Sequence, residues 1–248
     1  MVQSIQRASD ILNYIAHHNN DVKLADISHD LNINKSTIHG LLQTLVSCGL
    51  LSQNRDTNRY SLGLKVYELG KIFERDFSLT EIARPFMQEL NERFEETIHL
   101  SIESNGEVLY IDRIKSNHSV RSASNIGGID PLYATSAGKV MLAHMSQDYV
   151  EEYFRGRELR AYTPNTITDA AAIIGQLYTI RRQGYALDNE EVEIGLRCVS
   201  APILNADGSI LGAISISGPT TRLTDERFQD MSRALAGTCL AISRKLGY

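Results

Sequence analysis

Small polar side chains recur at alternate positions in two neighbouring segments of the second half of the chain. In residues 209–217, period two puts Ser215 and Ser217 on one face of a predicted strand. Cys198 and Ser200 share a face of the preceding strand by the same rule. A core normally fills such a face with larger apolar side chains. Either the face lines a cavity for a small polar molecule, or it lets a helix pack closely on the sheet. The pattern alone favours close packing.

A second group that could bind a ligand is Ser136-Ala137-Gly138, at the predicted start of a helix. The first amides of a helix have no partner within it, and the helix dipole is positive there, so this start can hold a carboxylate. Asp188, at a predicted helix-to-strand junction, can accept hydrogen bonds from ligand hydroxyls but repels a carboxylate. We therefore expect an acid ligand to direct its carboxylate toward the helix. The alternative for Asp188 is an ordinary turn or capping carboxylate.

Catalytic and metal-binding arrangements have little support in the sequence. Cys198 could pair with His99, His118 or His144 as a nucleophile, but nothing in their spacing supports such a pair. His118 and His144 with a carboxylate could form a zinc site, which scattered histidines rarely do. No phosphate loop or dinucleotide fingerprint occurs. We therefore predict no enzyme activity, no catalytic residue, no metal and no cofactor.

Residues 24–45 predict two short helices separated by a tight turn. Leu24, Ile27 and Leu31 follow helical spacing in the first. The second has its own apolar set, which consists of Ile38, Leu41, Leu42 and Leu45. Asn34 is placed to cap the second helix by accepting a hydrogen bond from a free amide of its first turn.

The outer face of the second helix is polar. Its exposed side chains are predicted to be Lys35, Ser36, Thr37, His39 and Gln43. Hydroxyls, an amide and a cation near the N-terminal end of an exposed helix suit contact with phosphates and base edges in a DNA major groove. Two short amphipathic helices also occur in many helical domains that do not bind DNA, so this pattern needs further support.

The segment that follows supplies that support. Residues 50–62 predict a hairpin, with two short apolar strands around a polar loop that carries Arg55 and Arg59. A helix-turn-helix followed directly by a basic hairpin is a winged helix. Both arginines could reach the DNA backbone or the minor groove.

Composition restricts the class of protein. The chain has 248 residues and a net charge of −5, yet residues 1–62 carry five basic and five acidic side chains. Affinity for DNA must therefore come from the placement of charges and not from bulk charge. Three separated cysteines, no long apolar run and no signal-peptide layout in residues 1–7 predict a protein of the reducing cytoplasm without a membrane span.

Periodicity changes from helical to alternating near residue 97, which predicts two domains of α+β class. Before that point, helices are predicted over residues 3–17, 64–75 and 80–95. The helix over 64–75 has the apolar residues Val66, Leu69, Ile72 and Phe73. After that point, strands are predicted over residues 97–103, 107–114, 120–124, 185–188, 196–204 and 209–217, and helices over 136–144, 148–154, 170–183 and 225–246. We assign residues 1–63 to a winged helix-turn-helix, 64–76 to a linker helix and 77–248 to a sensing domain.

The chain also resembles the isocitrate lyase regulator (IclR-type) family of transcription regulators. Seven motifs carry the resemblance, in the family's order. They are KSTIHGLL (35–42), YSLGLK (60–65), ETIHL (96–100), PLYATSAGK (131–139), GYALDNEE (184–191), GLRCVSAP (195–202) and AISISGP (213–219).

The resemblance implies a winged helix-turn-helix, a linker helix and an antiparallel, GAF-like sheet with flanking helices. It also implies homodimers or homotetramers on palindromic double-stranded DNA operators, and a small organic acid as effector. Pocket positions of members that sense glyoxylate or pyruvate correspond here to Ser136, Ala137, Asp188, Leu196, Cys198, Ser215 and Ser217, with Ser119 at one side. The resemblance therefore favours a pocket over close packing.

Two departures from the family pattern bear on function. Gly40 stands where the reading helix usually has Arg after His, and it weakens the helix by about 1 kcal/mol relative to Ala. Ser136 and Ser119 stand where small-acid sensors often carry Gly and a bulkier apolar residue. The added hydroxyls lead to the hypothesis of a more hydroxylated ligand, such as a sugar acid.

We expect a DNA-binding regulator, most simply a repressor of a carbon-source catabolic operon, that responds to a keto, hydroxy or sugar acid. Its signal would pass through the linker helix and alter the spacing of paired reading helices. The alternatives are an activator of the same class, an enzyme that processes a small molecule in the pocket, and a sensor that acts through protein partners alone.

Overall fold

The computed structural model describes residues 2–76 and 78–248 of the chain. These residues form two compact units, Met1–Ser78 and Leu79–Tyr248. The boundary predicted at residue 77 falls on a residue outside the described part of the chain. In the described residues, no helix is both long and apolar enough to cross a membrane.

The N-terminal unit has four helices and three short strands among its described residues. They are α1 Gln3–His17, β1 Val22–Lys23, α2 Leu24–Asp30, α3 Lys35–Ser47, β2 Leu51–Gln53, β3 Arg59–Leu62 and α4 Leu64–Asp76. Strand β3 lies between β1 and β2 in an antiparallel sheet. The sequence predicted the β2–β3 hairpin and missed β1, because two residues are too few to show an alternating pattern.

One apolar core holds the N-terminal unit together. Ile11 and Ile15 of α1 are fully buried against Ile27, Ile38 and other apolar residues of α2 and α3. The helical spacing of these residues is what buries one face of each helix and leaves the other face in solvent. The side chain of Phe73, predicted to be apolar in α4, lies outside the described residues.

Helix α5, Ser78–Phe94, belongs to the C-terminal unit from Leu79 onward, and a six-stranded sheet follows it. Its strands are β4 Thr97–Ser104, β5 Glu107–Ile114, β6 Ile129–Pro131, β7 Ala186–Asn189, β8 Leu196–Leu204 and β9 Ile210–Pro219. Its remaining helices are α6 Ser136–His144, α7 Gln147–Phe154, α8 Ala170–Gln183 and α9 Asp225–Lys245. The strand order is β6-β5-β4-β9-β8-β7, and all neighbours are antiparallel. The predicted α+β class is confirmed.

Side chains of two helices contact β8. Ser200 bonds to Ser136 of α6 on one face of the sheet. The Cys239 thiol of α9 contacts the carbonyl of Ala201, the next residue of β8, at 3.5 Å. Helices α6 and α9 therefore both pack against β8.

The strand predicted over residues 120–124 is wrong. Residues 115–128 are irregular, and the strand that pairs with the edge of β5 is β6, with Leu109 opposite Ile129. Backbone hydrogen bonds between Tyr110 and the segment Gly127–Gly128 hold this end of the irregular segment.

Candidate functional site

The exposed face of α3 is positioned by its cap and by its core face. The Asn34 side chain accepts a hydrogen bond from the amide of Thr37 at 2.9 Å, as predicted. Ile38 and Leu42 are fully buried, which fixes the rotation of the helix about its own axis. The opposite, polar face is therefore held toward solvent.

The structure places the five polar residues predicted to contact DNA on or beside this face. Lys35, Ser36, His39 and Gln43 are exposed, and Thr37 is half-buried. Ser36 also donates a hydrogen bond to Asn34 Oδ1 at 3.0 Å, so its hydroxyl is partly engaged in the cap. A cation and several polar groups thus lie at the N-terminal end of an exposed helix.

The two wing arginines differ in environment. Arg55 is exposed at the turn between β2 and β3. Arg59 is half-buried at the start of β3 and donates to Asp21 twice, at 3.0 Å to its carboxylate and at 2.9 Å to its carbonyl. Arg59 therefore lies outside the exposed loop that the sequence predicted for it, and Arg55 is the arginine at the tip.

A cavity of about 180 Å³ lies in the C-terminal unit. An apolar cavity of roughly 150 Å³ can hold a benzene-sized molecule, so this space suits one small ligand. Seven of the eight predicted effector positions line it, namely Ser136, Ala137, Asp188, Leu196, Cys198, Ser215 and Ser217. The other lining residues are Tyr110, Ser122, Ala123, Ser124, Asp130, Thr135, Val192 and Glu193.

The N-terminus of α6 forms one part of the cavity wall. Thr135 caps the helix, because its hydroxyl accepts a hydrogen bond from the amide of Gly138 at 3.0 Å. The amides of Ser136 and Ala137 lie in the first turn and have no acceptor within the helix. These two residues line the cavity, so their amides and the positive end of the helix dipole are placed for an anion.

Gly138 lets α6 approach the preceding chain closely. A Cβ at this position would lie 2.2 Å from the carbonyl oxygen of Leu132. This contact is separate from the close packing on the sheet that the small residues of the strands raised as an alternative to a cavity. Close packing at Gly138 sets the position of the helix, and the cavity opens at the end of the same helix.

The sheet supplies the floor of the cavity through β8 and β9. Cys198 pairs with Ser217, and Ser200 pairs with Ser215, so these four residues share one face as predicted. The Ser136 and Ser200 hydroxyls are 2.7 Å apart, which ties α6 to the sheet directly below the cavity. The small side chains thus leave room for a ligand while a hydrogen bond holds the helix in place.

Asp188 lies within β7, inside the strand predicted over residues 185–188 and beyond the helix-to-strand junction itself. Its carboxylate is buried and accepts a hydrogen bond from the amide of Glu191 at 2.8 Å. Burial raises the pKa of Asp188 to about 7, because water no longer stabilises the charged form. Near neutral pH, Asp188 is therefore able both to accept and, when protonated, to donate a hydrogen bond.

A buried ion pair holds the segment that carries Val192 and Glu193 over the cavity. Lys139 of α6 is 2% exposed, and its ammonium contacts the Glu191 carboxylate. Thr166 donates to the carbonyl of Glu191 at 2.5 Å. These contacts fix the 190–195 segment to the helix whose N-terminus faces the cavity.

Tyr110 is a cavity residue that sequence reasoning missed. A bulge interrupts the pairing of β4 with β5, since Leu100 pairs with Asp112 and Ser101 with Tyr110. The extra residue, Ile111, turns Tyr110 and Asp112 to opposite faces of the sheet. Strict period two puts both on the same face, so the alternating pattern could not reveal Tyr110.

The irregular segment places one predicted effector position outside the cavity lining. Ser119 is exposed and does not line the cavity, whereas Ser122 and Ser124 do. Arg113 donates a hydrogen bond to the carbonyl of Ser124 and so fixes this part of the segment beside the sheet. With no regular strand here, sequence spacing could not tell which serine turns inward.

The electrostatics of the cavity are unusual for an acid-binding site. Its described lining includes three acidic residues, Asp130, Asp188 and Glu193, and no Lys, Arg or His. Burial raises the pKa of Asp130 as well as that of Asp188, which reduces the negative charge that the two carry. Among the lining residues, the source of positive potential for an anion is the start of α6.

The arrangement offers no support for covalent or metal chemistry. Burial raises the pKa of the Cys198 thiol well above its usual value, so the thiolate needed for nucleophilic attack is disfavoured. His99 is buried near Ser217, and burial lowers its pKa to about 4. Within the described ranges, no cluster of three or more His, Cys, Asp or Glu side chains could hold a metal ion.

Comparison with known families decides the class of the protein. Residues 4–55 match the IclR helix-turn-helix domain, and residues 75–244 match the bacterial transcriptional regulator IclR C-terminal domain. The chain belongs to the IclR family of bacterial transcriptional regulators. Proteins of this family are DNA-binding regulators and not enzymes, which confirms the predicted class.

Individual IclR-family members are similar along almost the whole chain. The HTH-type transcriptional regulator XynR of Escherichia coli is 34% identical over 248 residues, with 100% of this chain and 98% of XynR covered. Transcriptional repressor IclR of the same organism is 33% identical, with coverage of 91% and 83%. The crystal structure of Thermotoga maritima IclR is 34% identical, has a TM-score of 0.78 and covers 100% of both chains.

Proposed function

We propose that this IclR-family regulator is a repressor, and that a small organic acid in the cavity releases it from a palindromic operator in the cytoplasm. The observation that carries the proposal is the cavity at the N-terminus of α6. It joins first-turn amides, which have no acceptor within the helix, to small polar side chains of the sheet. An acid whose carboxylate binds at Ser136 and Ala137 is stabilised by the helix dipole.

The DNA-reading part of the proposal rests on α3 and the wing. Lys35, Ser36, His39 and Gln43 form an exposed polar face, with Thr37 at its edge. Contacts from this face specify sequence, whereas Arg55 contacts the phosphate backbone or the minor groove. Arg59 orders the wing through Asp21, and its contribution to DNA affinity is indirect.

The oligomeric part of the proposal rests on α4. Four large apolar side chains of this helix are exposed, namely Leu64, Tyr67, Leu69 and Ile72. Leu64, Tyr67 and Ile72 line one mostly apolar groove. An exposed apolar surface of this kind marks an interaction site, and a second copy of the chain is the partner that a palindromic operator requires. Two copies joined through α4 would place two reading helices at a fixed spacing, which the effector then alters.

The test is fluorescence anisotropy of the purified protein on labelled DNA from upstream of its own gene. We expect tight, salt-sensitive binding that one class among keto, hydroxy and sugar acids weakens at least tenfold. DNA of equal length and shuffled sequence serves as the control. Tight operator binding that no acid changes would contradict the sensing proposal and leave the reading proposal intact.

The sign of regulation needs a separate readout. The E. coli relative is named a repressor, and we propose the same sign for this protein. In transcription from the operator-bearing promoter in vitro, the protein should lower transcript yield and the acid should restore it. A protein-dependent rise in transcript would instead identify an activator.

A further inference from the structure

We propose that the effector is a polyhydroxylated monocarboxylic acid whose hydroxyl groups bind to Tyr110, Ser122 and Asp130. These three residues are called the hydroxyl wall below. This inference rests on the proposed function, because it assigns a ligand class to the same cavity. It goes beyond that function by identifying residues that select for hydroxyl groups, and by excluding unsubstituted keto acids as the preferred ligands.

Ser122 supplies the first observation. Its side chain is 5% exposed and lines the cavity, and its hydroxyl has no hydrogen-bond partner among the described residues. Leaving a buried hydroxyl unpaired costs free energy. A ligand hydroxyl that bonds to Ser122 Oγ removes that cost, whereas an apolar ligand group leaves it in place.

The pair of Tyr110 and Asp130 supplies the second observation. The Tyr110 hydroxyl donates to Asp130 Oδ2 at 2.8 Å, so its only proton is already engaged in a hydrogen bond within the protein. Its oxygen then offers lone pairs to a ligand, as does the other oxygen of Asp130. Acceptors without free protons match ligand hydroxyls, which can donate, and do not match carboxylates.

Charge and hydrogen bonding together exclude three competing classes of ligand, namely diacids, aromatic acids and neutral polyols. The described lining has three acidic residues and no basic side chain, so a second carboxylate on the ligand would have no counter-charge. An aromatic acid would bring an apolar ring against Ser122 and leave its buried hydroxyl unpaired. A neutral polyol would leave the amides of Ser136 and Ala137 without an acceptor. One carboxylate and several hydroxyls satisfy all of these groups.

The test is isothermal titration calorimetry with acids that differ in their number of hydroxyl groups. Pyruvate, glycerate, threonate and gluconate carry none, two, three and five, and sorbitol is the neutral counterpart of gluconate. We expect either threonate or gluconate to bind at least tenfold more tightly than pyruvate and sorbitol. One hydrogen bond to a charged or buried partner is sufficient for about that factor.

Two variants examine the hydroxyl wall itself. Ser122→Ala and Asp130→Asn should each weaken binding of the best hydroxylated acid about tenfold, while changing pyruvate binding less than twofold. Ser119→Ala is the matched control, since Ser119 lies in the same irregular segment but outside the cavity lining. Ser122→Ala should not lower the melting temperature of the free protein, because it removes a hydroxyl that has no partner.

Each contrary result identifies which idea fails. Tightest binding of pyruvate, or equal behaviour of Ser122→Ala and Ser119→Ala, would overturn the hydroxyl wall. If pyruvate or another of these acids still releases the protein from the operator, the proposed function stands even though the hydroxyl wall does not. Sorbitol binding as tightly as gluconate would overturn the requirement for a carboxylate. Binding of none of the acids, together with tight operator binding, would overturn both the inference and the sensing part of the proposed function.

Discussion

The polar residues that we propose to contact DNA lie on the surface of the N-terminal unit. Those that we propose to contact the effector lie inside the C-terminal unit. Lys35 projects from the exposed face of α3. Lys139 is buried with Glu191 under the segment that covers the cavity. A lysine is thus exposed to solvent on α3 in one unit. In the other unit a lysine is buried and holds the segment beside the cavity.

This difference determines what a substitution can reveal. On the surface of α3, a change alters contacts with DNA and leaves the core of the N-terminal unit intact. Around the cavity, hydrogen bonds such as that between Ser136 and Ser200 serve both the fold and the site. Effects on stability and on ligand binding must therefore be measured separately in the C-terminal unit.

The largest expected effect is on the free energy of unfolding. It comes from replacing one helical glycine in each unit by alanine. Gly138→Ala would place a Cβ 2.2 Å from the Leu132 carbonyl oxygen, and the atoms it meets belong to the backbone, which cannot move aside as the end of a flexible side chain can. We expect a loss of about 3 kcal/mol or more in the free energy of unfolding. Gly40→Ala meets no atom within 4 Å in α3 and should instead gain about 1 kcal/mol.

Urea denaturation followed by circular dichroism measures both glycine variants. A similar change in stability for the two would contradict the close approach of α6 to Leu132. Gly40→Arg, measured beside Gly40→Ala, separates the effect on helix stability from a new contact with DNA. We expect both variants to stabilise α3, and only the arginine to increase operator affinity.

The second effect concerns the buried carboxyl of Asp188 and depends on pH. Its pKa rises from 3.8 to about 7 on folding, so the folded protein holds this proton more tightly than the unfolded chain does. The carboxyl's contribution to stability is complete below about pH 4 and is lost as the pH rises through about 7. Asp188→Asn stays neutral and should avoid this loss.

The free energy of unfolding of Asp188→Asn minus that of the wild type should therefore increase with pH and level off above about pH 7. Because each pKa unit corresponds to about 1.4 kcal/mol, we expect a difference of a few kcal/mol between the two ends of this range. Denaturation at a series of pH values measures it. A difference that does not vary with pH would show that Asp188 has an ordinary pKa in the folded protein.

The smallest expected effect lies on the surface of α3. Lys35→Ala should weaken operator binding several-fold and reduce the slope of log affinity against log salt by about 0.9, which is the loss of one phosphate contact. Melting temperature should not change. Arg155→Ala, which removes an exposed arginine of the C-terminal unit, is the control. An unchanged slope for Lys35→Ala would remove Lys35 from the DNA interface.

Sequence reasoning predicted regular elements well and irregular ones poorly. The bounds of α8, Ala170–Gln183, agree with the prediction, and Gly184 ends that helix with a φ of 80°, which favours glycine. Strand β8 also agrees at both ends. In these elements, local periodicity and end signals carry the information, and the rest of the fold does not override them.

Strand alternation and the family resemblance together predicted seven of the residues that line the cavity. Cys198, Ser215 and Ser217 followed from period two, and Asp188 from its motif. Tyr110 did not follow, because a bulge in the β4–β5 pairing reverses the face of one residue. Ser122 did not follow either, because its segment lacks a repeating pattern, and the neighbouring Ser119 was predicted in its place.

The central claim is that one ligand in the cavity and DNA on α3 act on the same conformational equilibrium. Its most direct test is reciprocity. The affinity of the tightest-binding acid is measured by calorimetry for the free protein and for the protein saturated with operator. We expect the operator to weaken acid binding by the same factor by which the acid weakens operator binding. Equal acid affinities in the two states would contradict the claim.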